Sequence, residues 1–152
     1  IAVALEQRKL RKYIADFPAP NLIGRPDVIL MPHIGASTDE AEDNCAIMAA
    51  DQLRDFLENG NIRNAVNFPT LELERVSGCR LAITNDNVPR VLGAVLAILA
   101  DQNVNVIDML NKSRANVAYN LIDIDTTPSS NLLAAMREIE GVINVRFIGH
   151  CQ

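Results

Sequence analysis

Residues 28–31 read V-I-L-M, a continuous apolar run set between Arg25-Pro26-Asp27 and Pro32. Such a run marks a strand covered on both faces, most often in a parallel sheet. One further strand candidate precedes it, Lys12-Tyr13-Ile14-Ala15-Asp16-Phe17, so most of the sheet it needs is expected to lie outside these residues. From residue 37 the period changes. Ser37-Thr38-Asp39-Glu40 has the form of a capping box, with the serine hydroxyl placed for the first-turn N–H groups and Glu40 reaching back. Ile47, Ala50, Leu53 and Leu57 then recur every three or four residues, Cys45, Ala46, Ala49 and Phe56 widen the stripe, and Gly60 ends it. The pattern predicts one helix over 37–60 of about 22 residues, roughly 33 Å long, enough to cross a domain and join two lobes.

Residues 61–78 have mixed polarity, contain Pro69 and keep no period. They read as a connector with one short strand at 65–68. Beyond Cys79 the pattern predicts a strand at 80–84, a helix at 88–102, strands at 104–113 and 117–125, a helix at 130–140 and a strand at 142–147. Val91, Leu92, Val95, Leu96 and Leu99 form one face of the first of these helices, Asn87 fits its N-cap, and Pro89 is tolerated in its first turn. Arg114-Ala115-Asn116 is short enough to close a hairpin. The last strand alternates Ile143, Val145 and Phe147 with Asn144 and Arg146, which suits an antiparallel sheet with one face under two helices. The order is β-α-β-β-α-β, the split, ferredoxin-like arrangement. The expected fold is therefore mixed: the end of a Rossmann-type parallel α/β sheet (residues 1–36), a long crossover helix (37–60), a connector (61–78) and an α+β domain (79–152).

Composition narrows the function. The chain has 152 residues, 49% hydrophobic, 22% charged and 4% aromatic, with 7 Gly and 7 Pro, which is a globular composition with an aliphatic core. A formal charge of −5 argues against nucleic acid as a partner, since a phosphate backbone is met by a surplus of clustered Lys and Arg. No apolar stretch approaches the ~18 residues of a membrane helix, and no signal peptide opens the chain. Cys45, Cys79 and Cys151 are widely spaced, and with only His33 and His150 beside them no metal site is expected. Reduced thiols in a cytoplasmic protein are the default. The first residue, Ile1, reads as the start of a piece of something longer.

Two places carry candidate chemistry. His33 follows the apolar strand directly and precedes Gly35 and the helix cap. Ligands bind at the carboxyl ends of strands in open α/β sheets, and imidazole exchanges protons near neutral pH. A histidine there can also simply cap the strand end through a backbone hydrogen bond. The second place is Asn85-Asp86-Asn87 at the mouth of the 88–102 helix, with Asn105 entering the next strand. Helix N-termini favour anions, and asparagine amides offer donors and acceptors to an amino acid. The same residues are equally the usual ones of a capping loop. The seven glycines never fall in a dinucleotide or P-loop spacing. Cys45 is expected in or beside the helix stripe, and His150 and Cys151 carry no signal.

Met31-Pro32-His33-Ile34-Gly35-Ala36-Ser37-Thr38, followed by Glu40-Ala41-Glu42-Asp43-Asn44, Gly60-Asn61 and Ala65-Val66-Asn67-Phe68-Pro69, resembles the C-terminal part of the D-3-phosphoglycerate dehydrogenase family. The tail from about Cys79 resembles the ACT regulatory domain that many members carry. The resemblance implies oxidation of 3-phosphoglycerate to 3-phosphohydroxypyruvate with NAD, in L-serine biosynthesis. It makes His33 the acid/base residue, and places the nicotinamide end of NAD near His33, Ile34, Gly35 and Ala36, with Asp16 matching the aspartate that touches the carboxamide. It also implies a homo-oligomer formed through ACT sheet edges and an L-serine effector site.

Several positions depart from the family pattern. The substrate-anchoring arginine and the dinucleotide fingerprint of the family lie upstream of what corresponds to residue 1, so the isolated chain is expected to be inactive. The carboxylate that pairs with the family histidine is expected where Pro20 and Asn21 stand. Serine-binding ACT domains use a loop histidine and two asparagines. Asn87 and Asn105 match the asparagines, Asn85 stands for the histidine, and Arg90 replaces a glycine that lets the loop approach a ligand. The rival reading is a non-catalytic ACT module for amino-acid binding or dimerisation. Residues 1–36, short of sheet neighbours, are expected to be poorly ordered, domain-swapped or paired with another copy.

Overall fold

The computed structural model describes residues 1–17, 19–75 and 79–149. The end of the expected connector at 76–78 and the tail residues His150 and Cys151 lie outside these. The chain divides into two units, Ile1–Ile47 and Met48–Gln152, and the division falls inside one long helix.

In the first unit a short helix α1 (Ala2–Glu6) precedes β1 (Tyr13–Ala15), a 3-10 turn (Pro20–Leu22) and β2 (Val28–Leu30). The strands pair in parallel, Tyr13 opposite Val28 and Ala15 opposite Leu30. Leu5 and Leu22 are buried. Full burial of the V-I-L-M run is not what the structure shows: Ile29 and Met31 are exposed, as is Ile14 on β1. A two-stranded sheet has no layers to cover both faces, so the apolar pattern stays uncovered within this unit.

Helix α2 (Asp39–Asn59) is one residue run of 21, close to the expected span. Its cap is Thr38 rather than Ser37, because the Thr38 hydroxyl accepts from the Ala41 N–H at 3.2 Å while the Ser37 N–H closes a turn onto Ile34 O. No residue of α2 is buried, and Ile47, Leu53 and Leu57 stand open. Cys45 is free and exposed rather than packed into the stripe. Gly60 ends the helix at φ +77, its N–H bonded to Phe56 O. A Cβ there would come within 2.8 Å of Leu121 and 2.9 Å of Ile148, so both the backbone conformation and the close approach require glycine.

The second unit carries β3 (Cys79–Asp86), α3 (Val91–Asp101), β4 (Val106–Arg114), β5 (Val117–Ile124), α4 (Ser130–Arg137) and β6 (Val142–Ile148). The sheet order is β4-β5-β3-β6 and every pair is antiparallel. This is the ferredoxin-like βαββαβ arrangement the sequence pattern predicts. Strand alternation sends Leu81, Ile83, Ile122, Ile124 and Val145 to one face, where they meet Val95 and Leu99 of α3 and Leu132 and Met136 of α4. Ser129 caps α4 by accepting from the Leu132 N–H at 3.1 Å. On β6 the register shifts beside Thr84 and Asn85: Asn144 faces Thr84 and Val142 faces Asn85, so Ile143 has no residue opposite and turns outward.

The second face of the sheet is covered too, which the one-sided pattern did not anticipate. Ala82, Tyr119, Leu121 and Ile148 pack against Ile62 and Leu71 of the connector, with Phe56 of α2 and Phe68 beside them. Residues 65–68 form no strand. The connector instead makes a single antiparallel bridge between Ile62 and Leu71, and Leu71 has no exposed surface. Arg80 fixes this layer. Its Nε and Nη2 donate to the two oxygens of Asp123 at 2.6 and 2.8 Å. Nη1 donates to Asn59 O and Leu73 O, and Nη2 also to Glu74 O, at 2.8–3.2 Å. Arg146 adds a bond to Phe56 O and lies 4.3 Å over the Phe56 ring. The Tyr119 hydroxyl donates to Gly60 O at 2.8 Å, and burial pushes its phenol above the ordinary range. Cys79, which opens β3, is disulfide-bonded. That corrects the expectation of reduced thiols, which rested on wide spacing along the chain; spacing in sequence does not limit which cysteines a fold brings together.

Replacing Arg80 by Met should lower the unfolding free energy of the second unit by about 3–5 kcal/mol, since Asp123 is left buried and unpaired. Urea denaturation should show the loss, and Arg80→Met/Asp123→Leu should recover part of it.

Candidate functional site

The register that sets Ala15 beside Leu30, with the Met31 N–H bonded to Ala15 O, brings the residues just past two neighbouring strand ends together. Asp16 leaves β1 there, and His33 follows β2. His33 Nδ1 lies 3.0 Å from Asp16 Oδ2, and the Phe17 ring stands against the imidazole with centroids 4.4 Å apart. The side chains remain 59% and 48% exposed. Asp27, the nearest acid in sequence to β2, is taken by Arg25, which donates to both its oxygens at 3.0 Å and holds its carboxyl below the usual range. Ile34, Gly35 and Ala36 form an exposed turn, and a Cβ built on Gly35 meets nothing within 4 Å. The structure therefore gathers Asp16, His33, Ile34, Gly35 and Ala36 on one accessible patch. Asp16 as the partner of His33 is not legible in the sequence, where the family pattern puts the pairing carboxylate four or five residues further on, at Pro20 and Asn21.

The loop 85–90 sits at the other candidate place. Asn85 is 4% exposed and its amide is committed inside the fold: Nδ2 donates to Asp86 O, and Oδ1 accepts from Asn120 Nδ2, both at 2.7 Å. Asn120 in turn accepts from Asn111 Nδ2 on the edge strand, so three amides cross β3, β5 and β4 in one ladder. Neither Asn111 nor Asn120 was singled out from the sequence; the signal was a polar residue inside the apolar strand around Tyr119 and Leu121.

Asn87 does not cap α3. Its Nδ2 donates to Ala115 O at 3.0 Å and its N–H to Asn116 O at 2.8 Å, tying the loop to the β4–β5 hairpin. The helix starts later than the pattern predicts, at Val91, because the residue before Pro89 is disfavoured in helical backbone and Arg90 takes the left-handed conformation at φ +81. Asn105 is exposed at the start of β4, where Val106 faces Ile124 and Ile124 faces Cys79. Asn85, by contrast, faces Ala118. At ~3.3 Å per residue, Asn105 and the Asn85–Asn87 loop lie at opposite ends of the sheet, roughly 20 Å apart. Within one chain Asn85 and Asn87 share a site and Asn105 does not. Among the described residues, no group of three or more His, Cys, Asp or Glu is placed to hold a metal ion, and no helix is long and apolar enough to cross a membrane.

These features define a ferredoxin-like α+β domain preceded by a fragment of parallel α/β sheet that ends in an Asp–His pair. No protein-family model matches the chain. It is 38% identical over 124 residues to a D-3-phosphoglycerate dehydrogenase of Escherichia coli (strain K12), covering 80% of this chain and 30% of that protein. Against the D-3-phosphoglycerate dehydrogenase of Haemophilus influenzae it is 32% identical over 123 residues, with the same shares covered. Against D-3-phosphoglycerate dehydrogenase 2 of Saccharomyces cerevisiae it is 34% identical over 116 residues, 73% of this chain and 24% of that one. Among solved structures, the ACT domain of a GTP pyrophosphokinase from Chlorobium tepidum is similar over 48% of this chain and 100% of its own, at TM-score 0.40 and 12% identity. The chain is a homologue of a portion of D-3-phosphoglycerate dehydrogenase, and it spans about 30% of the length of the curated relatives it matches.

Asn120→Ala should cost about 1–3 kcal/mol, because it strands the Asn85 carbonyl and the Asn111 amide in the sheet. Asn87→Ala, on an exposed bond, should stay within about 0.5 kcal/mol in the same urea titration.

Proposed function

We propose that this chain is the C-terminal portion of an NAD-dependent D-3-phosphoglycerate dehydrogenase, with an ACT domain for effector binding and assembly. The sequence kinship with those enzymes over four-fifths of the chain carries the reading. The exposed patch at the two strand ends fits the nicotinamide end of NAD: it is open at Gly35 and offers the His33 imidazole beside it. When bound, NAD supplies the hydride acceptor. His33 takes the proton of the substrate 2-hydroxyl as the C–H hydrogen leaves with its electron pair, so the carbinol becomes a ketone and the ring an imidazolium. Ile34, Gly35 and Ala36 line the cofactor side.

Asn87 and Asn105 serve the L-serine effector in this reading, across two copies of the chain. β4 is an edge strand, and antiparallel pairing with a second β4 sets the start of one strand beside the hairpin end of the other. Asn105 would then approach the Asn87 loop of its neighbour. The second reading, a non-catalytic module, is favoured for the isolated chain by one observation: the second unit has cores on both sheet faces, whereas Ile14, Ile29 and Met31 of the first unit stay exposed.

Calorimetric titration of the chain with L-serine should give saturable binding that Asn87→Ala and Asn105→Ala each abolish. A folded dimer that binds no serine would leave the domain as an assembly element. In the parent protein, 3-phosphoglycerate with NAD should yield NADH absorbance, and His33→Asn should lower the rate by about 10²–10⁴-fold. A parent that makes no NADH from this substrate would contradict the dehydrogenase reading.

A further inference from the structure

We infer that Asp16 is the residue that positions His33: its carboxylate accepts the Nδ1–H and so fixes the neutral ring with its lone pair on Nε2. The inference rests on the dehydrogenase reading only for the catalytic use of that lone pair. Its geometric basis is the 3.0 Å approach of Oδ2 to Nδ1. An ionised carboxylate has acceptors only, so the proton of this bond belongs to the ring nitrogen. In a neutral imidazole one nitrogen donates and the other accepts, and the partner of one sets the state of the other. With Nδ1 protonated, Nε2 is left as the base, which a proton transfer from a hydroxyl requires.

Local structure supports the assignment. Asp16 and His33 follow neighbouring parallel strands whose register is fixed by backbone bonds, so their approach does not depend on long side chains finding one another. Phe17, next to Asp16, packs its ring on the same imidazole and limits its rotation. The two acids that flank β1 and β2 on the N-terminal side are engaged elsewhere, since Arg25 binds both Asp27 and Glu6. A pair this exposed contributes little to stability, so orientation of the ring is what the contact provides. The family resemblance gives Asp16 to the carboxamide of the cofactor. The geometry gives it a second task, in place of the carboxylate absent at Pro20 and Asn21.

The test reads the tautomer directly, without substrate or cofactor. Long-range ¹⁵N–¹H spectra of the labelled chain carrying His150→Gln, which leaves His33 as the one histidine, are recorded with the ring neutral. The Nδ1–H form should dominate. Asp16→Leu keeps the branched shape but removes the acceptor for Nδ1–H, and should move the ring toward the Nε2–H form. Asp27→Asn, which changes an acid of the same unit away from His33, should leave the tautomer as it was and controls for loss of fold. An Nε2–H ring in the unsubstituted chain, or a tautomer that Asp16→Leu does not move, would overturn the assignment while leaving the dehydrogenase reading standing. In the parent enzyme Asp16→Leu should lower kcat by about 10-fold or more, in addition to any rise in the KM for NAD from the lost carboxamide contact. A raised KM for NAD at unchanged kcat would return Asp16 to cofactor contact alone. Absence of NADH formation in the unsubstituted parent would refute the dehydrogenase reading and leave the tautomer result untouched.

Discussion

The Arg80 guanidinium and the Asp123 carboxylate face each other on adjacent strands with 0% and 1% of their side chains exposed. Charges removed from water at this depth cost several kcal/mol each unless every donor and lone pair is met. Here the guanidinium's donors are met by Asp123 and by three backbone carbonyls, of Asn59, Leu73 and Glu74. The same bonds that satisfy the charge therefore hold down the end of α2 and the far end of the connector. Ile62 and Leu71 are carried onto the sheet between those anchor points, and the second face is closed by a segment without regular secondary structure.

That constraint bears on the loop beyond β3. β3 is held at one end by Arg80 and crossed at the other by the Asn85–Asn120–Asn111 ladder. The last residue of β3, Asp86, is bonded to Gly141 O and the loop that follows to Asn116 O and Ala115 O, so both the hairpin and the turn before β6 fix its place. Any ligand at this loop meets a scaffold already set, with Asn87 exposed and Asn85 occupied. The first unit presents the opposite situation. Its Asp–His pair is formed, but Ile14, Ile29 and Met31 of its two-stranded sheet stay exposed.

Elements governed by local pattern were legible in the sequence: all four strands and both helices of the βαββαβ domain, the long helix, and the strand before His33. What escaped depended on contacts between distant positions. The bonds that bring Arg80 to Asp123 and to the connector carbonyls leave no trace in periodicity, so 61–78 read as a connector. The stripe on α2 predicted a buried face that the described residues do not supply. Asn87 looked like a helix cap because Asn is a good one, but a proline two residues on and the left-handed Arg90 delayed the helix. His33 was legible from its place at a strand end. Its partner was not, because register across β1 and β2, not spacing along the chain, decides which acid reaches it.

Anchored by Arg80 and bridged at Ile62 and Leu71, the connector is part of the folded sheet and not a tether. Residue-resolved amide hydrogen exchange tests this most directly. The Ile62 and Leu71 amides, bonded to each other's carbonyls, should exchange only with the global opening that exposes Ile83 and Leu121. Fast exchange at Ile62 and Leu71 while Ile83 and Leu121 stay protected would contradict it.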